Sequence, residues 1–333
     1  MNRPTLIPGL PRVWRGPGEL QIGSDPARAL LLHLPDERCE RVLDLLDGSR
    51  SEQVVLQGAA ELGIPEPDCR ALLDTLRTAG LTLPASSLVP PSFGATAQRR
   101  LTGEAAALAL RGVPLPAQAL RRRFAAHVVL AGRGRLAAPI AVALAQAGVG
   151  HVRPEVTGEV RPGDLPGGPL RAADIGRRRR DAINEVLSLL VPGTTQGVRR
   201  MAPSLRIQLD HDEPVAVLAH ALAIRRQPHL AVTIREGSAV VGPLVDARGR
   251  PCLHCLDLHR RERDATWPGP VPAAAEPCAV STLLATTAYA VAEALTFLDG
   301  GTPETAGATA EITAPGRVRR RSWLPHPECP CAR

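Results

Sequence analysis

The 333-residue chain contains no lysine; all 40 of its basic residues are arginine. No amine is therefore present to act as nucleophile, general base or point-charge clamp on a phosphate. GC-rich codon usage explains that choice as readily as chemistry does. Aromatic residues are also scarce, with three Trp, three Phe and one Tyr. The cores must be built from Leu, Val, Ile and Ala, and a stacking platform for single-stranded nucleic acid is not expected. The N-terminal "MNRPTLIPGLPRVWRG" lacks the apolar core and small-residue cleavage site of a secretory signal. The longest apolar run, "STLLATTAYAVAEALTFL" (281–298), is interrupted by Glu293 and several Thr, so it reads as a buried helix and no membrane is expected. A cytoplasmic location follows as the expectation. There thiols stay reduced, and paired cysteines point to metal before disulfide.

The length accommodates two domains, each with its own core. The net charge of +7 is unevenly spread. Residues 1–84 hold nine Arg against twelve Asp plus Glu, a balance of −3. Within this acidic segment 20–22 and 29–32 are short strand candidates around the turn "GSDP". "DERCERVLDLLDG" (36–48), "SEQVVLQGAAELG" (51–63) and "DCRALLDTLRTAG" (68–80) carry helical spacing, with Ser51 and Asp68 as caps and Gly48 and Gly80 as stops. The strand "LTL" follows. Strands, three helices and a final strand suit a winged helix. A DNA-binding regulator is one reading of such a domain, but phosphate contacts need positive charge, and the acidic balance argues against nucleic acid. Residues 85–120, rich in Pro, Ser, Ala and Gly, read as a linker with a short connecting helix.

From 121 onward the pattern changes. "AHVVLAGRGRLAAPIAVALAQAGVGHVRPEV" reads as strand, glycine turn, helix and second strand, which is a βαβ opening. The long helix "RRRRDAINEVLSLLVPG" follows, then the strand candidates "LRIQLD", "PVAVLA" and "LAVTIRE", with a short helix "LAHALAIRRQ" between the last two. The whole suggests a doubly wound, Rossmann-like α/β domain. In "AGRGRLA", Gly132 and Gly134 supply the turn and the close backbone approach that a phosphate requires, and Ala137 takes the third glycine position. A tight βα turn with no ligand is the plainer reading of the same residues.

Cys252 and Cys255 form C-x2-C. Cys329 and Cys331 form C-x-C, with 73 residues between the two pairs. Two such knuckles brought together supply the four thiolates of a closed tetrahedral zinc site, which leaves no corner for a catalytic water and so makes the role structural. His254 or His326 is an alternative to one thiolate, and two unrelated pairs of reduced thiols is the plainer reading. A metal there would tie down the Pro-rich C-terminus. Cys278, just before the apolar helix, is either a thiolate favoured by a helix N-terminus or an idle cysteine. "CLDLHRRERDATWP" gathers Asp257, His259, Arg260, Arg263 and Asp264; His–Asp proximity suggests acid/base chemistry, and salt-bridged packing around the knuckle, with Trp267 as cover, is the simpler reading. "GRVRRRSW" (316–323) reads as a solvated strand edge, with an anionic partner as the minority reading.

The order "VVLAGRGRLAAPIAVALAQAGVGHVRPEVTGEVRPGDL", followed by "ADIGRRRRDAINEVL", resembles the ThiF-like, ubiquitin-activating adenylyltransferases over most of 121–333. Within them, "PHLAVTIREGSAVVGPLVDARGRPCLHCLDLHRRERDATWP" and "LPRVWRGPGELQIG…LLDGSR" resemble a branch that binds leader peptides in thiazole/oxazole-modified microcin biosynthesis, often labelled cyclodehydratase. The resemblance implies a peptide-recognition winged helix over 1–84, a structural zinc, a homodimer and a YcaO-type cyclodehydratase as partner. It places Glu155 at the ribose-binding acid and Asp164 at the family's "DL" element. Two departures count against ATP and magnesium. A lysine expected near 177–180 is absent, and the segment "PVAVLAHAL" ends in His220 without the metal-holding aspartate. The expected function is a leader-peptide-binding scaffold that does not itself adenylate. An active adenylyltransferase that charges a C-terminal carboxylate with ATP is the alternative.

Overall fold

The acidic N-terminal segment folds around its own leucines. The computed structural model describes residues 3–195, 201–247, 249, 251–269, 276–314 and 316–332, and it divides into two units, Met1–Arg121 and Arg122–Arg333. The first unit opens with β1 (Pro4–Leu6), β2 (Arg12–Gly16), β3 (Glu19–Ile22) and β4 (Leu30–His33). Helices α1 (Glu40–Asp44), α2 (Glu52–Glu61) and α3 (Glu66–Thr78) follow, then β5 (Thr82–Pro84). Strands β2, β3 and β4 make an antiparallel sheet, and β1 pairs antiparallel with β5. Leu20, Ile22, Val42, Val55, Leu73 and Leu76 are buried together, each leucine worth roughly 2 kcal/mol of transfer free energy.

Ser51 caps α2 by accepting the Val54 N–H. Helix α3 starts earlier than its sequence suggests: Pro65 heads it and Asp68 lies in its first turn, where a carboxylate favours the helix dipole. Strands β1 and β2 were not legible in the sequence, being short and interrupted by Pro and Gly. The segment after β5 carries α4 (Ala85–Leu88) and the sixteen-residue α5 (Ala95–Leu110), followed by α6 (Pro116–Ala125).

The second unit is built on one seven-stranded sheet. Strand β6 (His127–Gly132) is buried at five successive residues, the mark of a central parallel strand covered on both faces. Helix α7 (Ala137–Gln146), β7 (His151–Val156), α8 (Arg179–Leu190), β8 (Leu205–Gln208), α9 (Val215–Ile224) and β9 (His229–Arg235) complete the parallel half. Strand β10 (Ser238–Val245), helices α10 (Leu253–Arg263) and α11 (Val280–Leu298), and strands β11 (Ala308–Ala314) and β12 (Arg317–Ser322) extend it with antiparallel pairings. The strand order is β12-β11-β10-β9-β8-β6-β7.

Helix α7 packs against both α8 and α11, and all three pack on the sheet. Helices α9 and α10 pack against each other, with Ala231 of β9 part of their apolar cluster. By length and composition α11 is, among the described residues, the one helix able to cross a membrane. Here it is a core helix, with Leu283, Ala290 and Ala294 buried and Glu293 accepting the Thr305 N–H at 2.6 Å.

The expected strand "PVAVLA" is not a strand. It joins "LAHALAI" in the single helix α9, headed by Pro214. An apolar run of this length carries no period that separates strand from helix. The sheet therefore runs from β8 directly to β9 as its parallel neighbour.

Candidate metal centre and glycine turn

Cys252 is the N-cap residue of α10 and Cys255 lies in its first turn. Cys329 and Cys331 arrive on the C-terminal turn, where the Cys329 N–H donates to the His326 carbonyl at 3.0 Å. The Sγ atoms approach one another at 3.8 Å (252–255), 3.5 Å (252–329) and 3.2 Å (255–331), and all four lie within 4.8 Å. A tetrahedron with metal–sulfur bonds of about 2.3 Å has edges of about 3.8 Å, so donor set and spacing both fit zinc. Leu218, Leu222, Leu256 and Trp323 pack around the cluster, in which Cys252, Cys255 and Cys329 are buried. The hydrogen bond from the Cys252 thiol holds Cys255 low, at about 4, while that bond and burial push Cys252 far up. Burial pushes Cys331 up to about 12. Four sulfurs this close cannot all ionise without a cation to share; a divalent metal removes that conflict.

Neither histidine displaces a thiol. His254 Nδ1 stands 3.9 Å from Cys329 Sγ. His326 is buried and faces Glu262, with Nε2 2.8 Å from Oε1. Its Nδ1 accepts the Glu328 N–H at 3.2 Å, which leaves Nε2 turned to the Glu262 carboxylate and away from the thiols. His259 lies beside them and bonds the Leu324 carbonyl through Nε2 at 3.0 Å. These contacts latch the tail to α10 independently of the thiols. Asp257 and His259 do not pair. Asp257 is buried and accepts from Trp267 Nε1 at 3.1 Å and Arg261 Nε at 3.0 Å. Trp323, rather than Trp267, packs in the cysteine cluster.

The glycine turn lies at the other end of the parallel strands. Gly132 has φ +104, and a Cβ there would meet the Asp210 carbonyl at 2.3 Å. The chain leaving β8 thus fixes the first glycine, with the Arg133 N–H donating to the same carbonyl at 2.9 Å. Gly134 has φ +114, and a Cβ on it would stand 2.3 Å from Glu276 Oε1. The Glu276 carboxylate accepts the Arg135 N–H at 2.8 Å. The Arg135 side chain fastens the Glu276 segment down by donating to the Cys278 and Pro166 carbonyls at 3.2 and 2.9 Å. The cradle that a phosphate would use is therefore filled by the chain's own carboxylate, and no step is assigned to ATP in this arrangement. Ala137 is buried at the start of α7.

Other expected site residues are spoken for. Glu155, exposed near the end of β7, pairs with Arg153 at 3.0 Å and Arg206 at 3.7 Å. Asp164 pairs with Arg179 at 2.8 Å, and Arg179 also donates to the Thr157 carbonyl at 2.8 Å. Burial raises the Cys278 thiol above its ordinary pKa, Arg135 pulls it back and Glu276 adds to the rise, a setting that does not favour the thiolate.

Sequence reasoning missed Asp210 and Glu276. Asp210 follows β8, next to the glycine turn, where the carboxyl ends of strands in open α/β sheets hold ligands. It was overlooked because the aspartate was sought at the end of what is helix α9. Burial raises both carboxyls above their ordinary range; Arg133 pulls Asp210 back, and the Arg135 N–H pulls Glu276 back. Beside Asp210 a cavity of about 580 Å³ opens, with Thr233, Arg235, Leu256 and Trp267 in its walls.

No protein-family model and no curated protein matches the chain. Solved structures do. E. coli MccB with AMPCPP and SeMet MccA superposes with a TM-score of 0.67 at 15% identity over 99% of both chains. E. coli MccB with ATP gives 0.67 at 14% identity over 98% of this chain and 99% of that one. PaaA gives 0.65 at 14% identity, over 95% of this chain and 98% of its own. Identity this low carries the fold alone, and that shared fold is the Rossmann-like α/β architecture expected from the sequence.

Proposed function

We propose that the chain is a leader-peptide-binding scaffold in the biosynthesis of a thiazole/oxazole-modified ribosomal peptide. The first unit, read as a winged helix, takes an extended leader as an added strand on an edge of the β2–β3–β4 sheet. The second unit, as a homodimer with a structural zinc on Cys252, Cys255, Cys329 and Cys331, docks a YcaO-type cyclodehydratase that performs the heterocycle chemistry. The observation that carries the non-adenylating part is Glu276 on the glycine turn, together with the commitment of Arg179 to Asp164. The peptide part is supported by the likeness to MccB, which has been solved in complex with N-formylated MccA.

A second reading, adenylation of a peptide carboxylate, is favoured by Asp210. It is the acid next to the turn that the resemblance calls for, and MccB has been solved with ATP. Pyrophosphate exchange into ATP separates the two. The scaffold gives no exchange above background with or without precursor peptide. Peptide-dependent exchange establishes the second reading.

A further inference from the structure

On the same side of the sheet as Arg235, a second cavity of about 550 Å³ is lined by six arginines and a single glutamate. Its floor is the row Val240, Glu311 and Thr309. Arg319 and Arg321 of β12 form one wall, in register with Glu311 and Thr309. Arg260 and Arg263, in the last turn of α10, form the other, and Arg235 closes the end. Among the described residues only Arg320 of these six has an ion pair, to Glu304 at 3.7 Å. Arg260 and Arg321 instead lie over the Trp323 ring, at 5.9 and 3.9 Å. Burial depresses Arg260 to about 10, and neighbouring Arg235 adds to the effect. Six cations gathered in one concavity around a single carboxylate repel one another and have shed part of their water; a ligand carrying several negative charges relieves both costs.

The setting favours a chain over a free phosphate. Compact phosphate seats use converging backbone N–H groups at a glycine turn or a helix N-terminus. Here the nearby helix end is the C-terminus of α10, and the walls are strand and side chain. Strand β12 is the free edge of the sheet, and all six of its residues are exposed. An exposed edge offers main-chain groups to an extended peptide. Arg235, Val240 and Arg260 also line the cavity beside Asp210, so the two cavities adjoin.

We infer that this arginine-lined cavity and the β12 edge bind an acidic, extended peptide segment, with Asp or Glu side chains set against Arg235, Arg260, Arg319 and Arg321. The inference rests on the reading of a peptide as ligand, but it places a contact in the second unit, apart from leader capture. The test uses the full chain and a fluorescein-labelled peptide of alternating glycine and glutamate, followed by anisotropy at low salt. That probe carries no leader sequence, so it binds or fails independently of the first unit. Saturable binding is expected, weakened about tenfold or more in the exposed double variant Arg319→Glu/Arg321→Glu and screened by salt. The milder Arg319→Gln should weaken it in the same direction with thermal unfolding unchanged. Three results would overturn the inference: equal binding by the double variant, binding of pyrophosphate that the glutamate peptide cannot displace, or loss of a dimer in light scattering with peptide binding intact.

Discussion

Glu276 does at the residue scale what a bound anion does at other glycine turns: it takes the N–H that Gly134 exposes by lacking a Cβ. Its raised pKa fixes a sign. A folded state that holds this proton more tightly than the unfolded chain is favoured below the ordinary carboxyl value of about 4.3, and loses that advantage as pH rises through the folded value. Glu276→Gln cannot ionise yet still accepts the Arg135 N–H. It should match the parent in thermal unfolding near pH 4, exceed it as pH rises through the folded value, and keep a constant margin above that; equal pH profiles would dismiss the burial argument.

His229 works in the opposite direction. Burial depresses it to about 4, with Nδ1 donating to the Gln227 carbonyl at 2.9 Å and Nε2 buried without a partner. The unfolded chain takes up a proton near pH 6.5 and the folded chain does not, so stability falls as pH drops from there toward 4, by about 3 kcal/mol in total. His229→Gln should remove most of that slope in urea titrations run across the window.

Among elements, the C-terminal strap depends most on one group of side chains. It meets α10 through four sulfurs and through the His259–Glu262–His326 contacts. A closed zinc–thiolate site contributes on the order of 10 kcal/mol in isolated zinc-finger peptides. Cys329→Ser should therefore release bound zinc, measured by elemental analysis, and lower the unfolding midpoint sharply; undiminished zinc would remove Cys329 from the ligand set. The junction between α11 and the βαβ opening relies on a different pairing. Arg123, 2% exposed, grips Asp299 bidentately at 2.8 and 2.7 Å. Asp299→Ala leaves that guanidinium buried without its carboxylate and should cost about 3–5 kcal/mol in urea unfolding.

Which elements were legible followed from their period. Strand β6, the glycine turn and α7 were readable because a buried strand gives way to a helix across two glycines. The four cysteines were readable because thiol spacing survives ignorance of the fold. Helix α9 was not, since its apolar residues occupy every side: Val217 and Ile224 are exposed while Leu218 and Leu222 are buried. Glu276 was illegible for another reason. It meets the turn from 141 residues further along the chain, and no local pattern encodes that contact.

For the whole molecule, the fold and the chemistry of its turn point in different directions. The architecture matches that of MccB along nearly the full length of both chains, yet lysine is absent throughout and the turn holds a carboxylate. Asp210 keeps one carboxyl beside that turn, just past the end of β8. On this view a small number of contacts separates a peptide-binding scaffold from an adenylating enzyme of the same fold. Isothermal titration of the full chain with magnesium ATP, beside Glu276→Ala, tests this most directly. The expected result is no measurable heat of binding for the parent chain and a gain of binding when the carboxylate is removed. Tight binding of ATP by the parent, unchanged in Glu276→Ala, would contradict it.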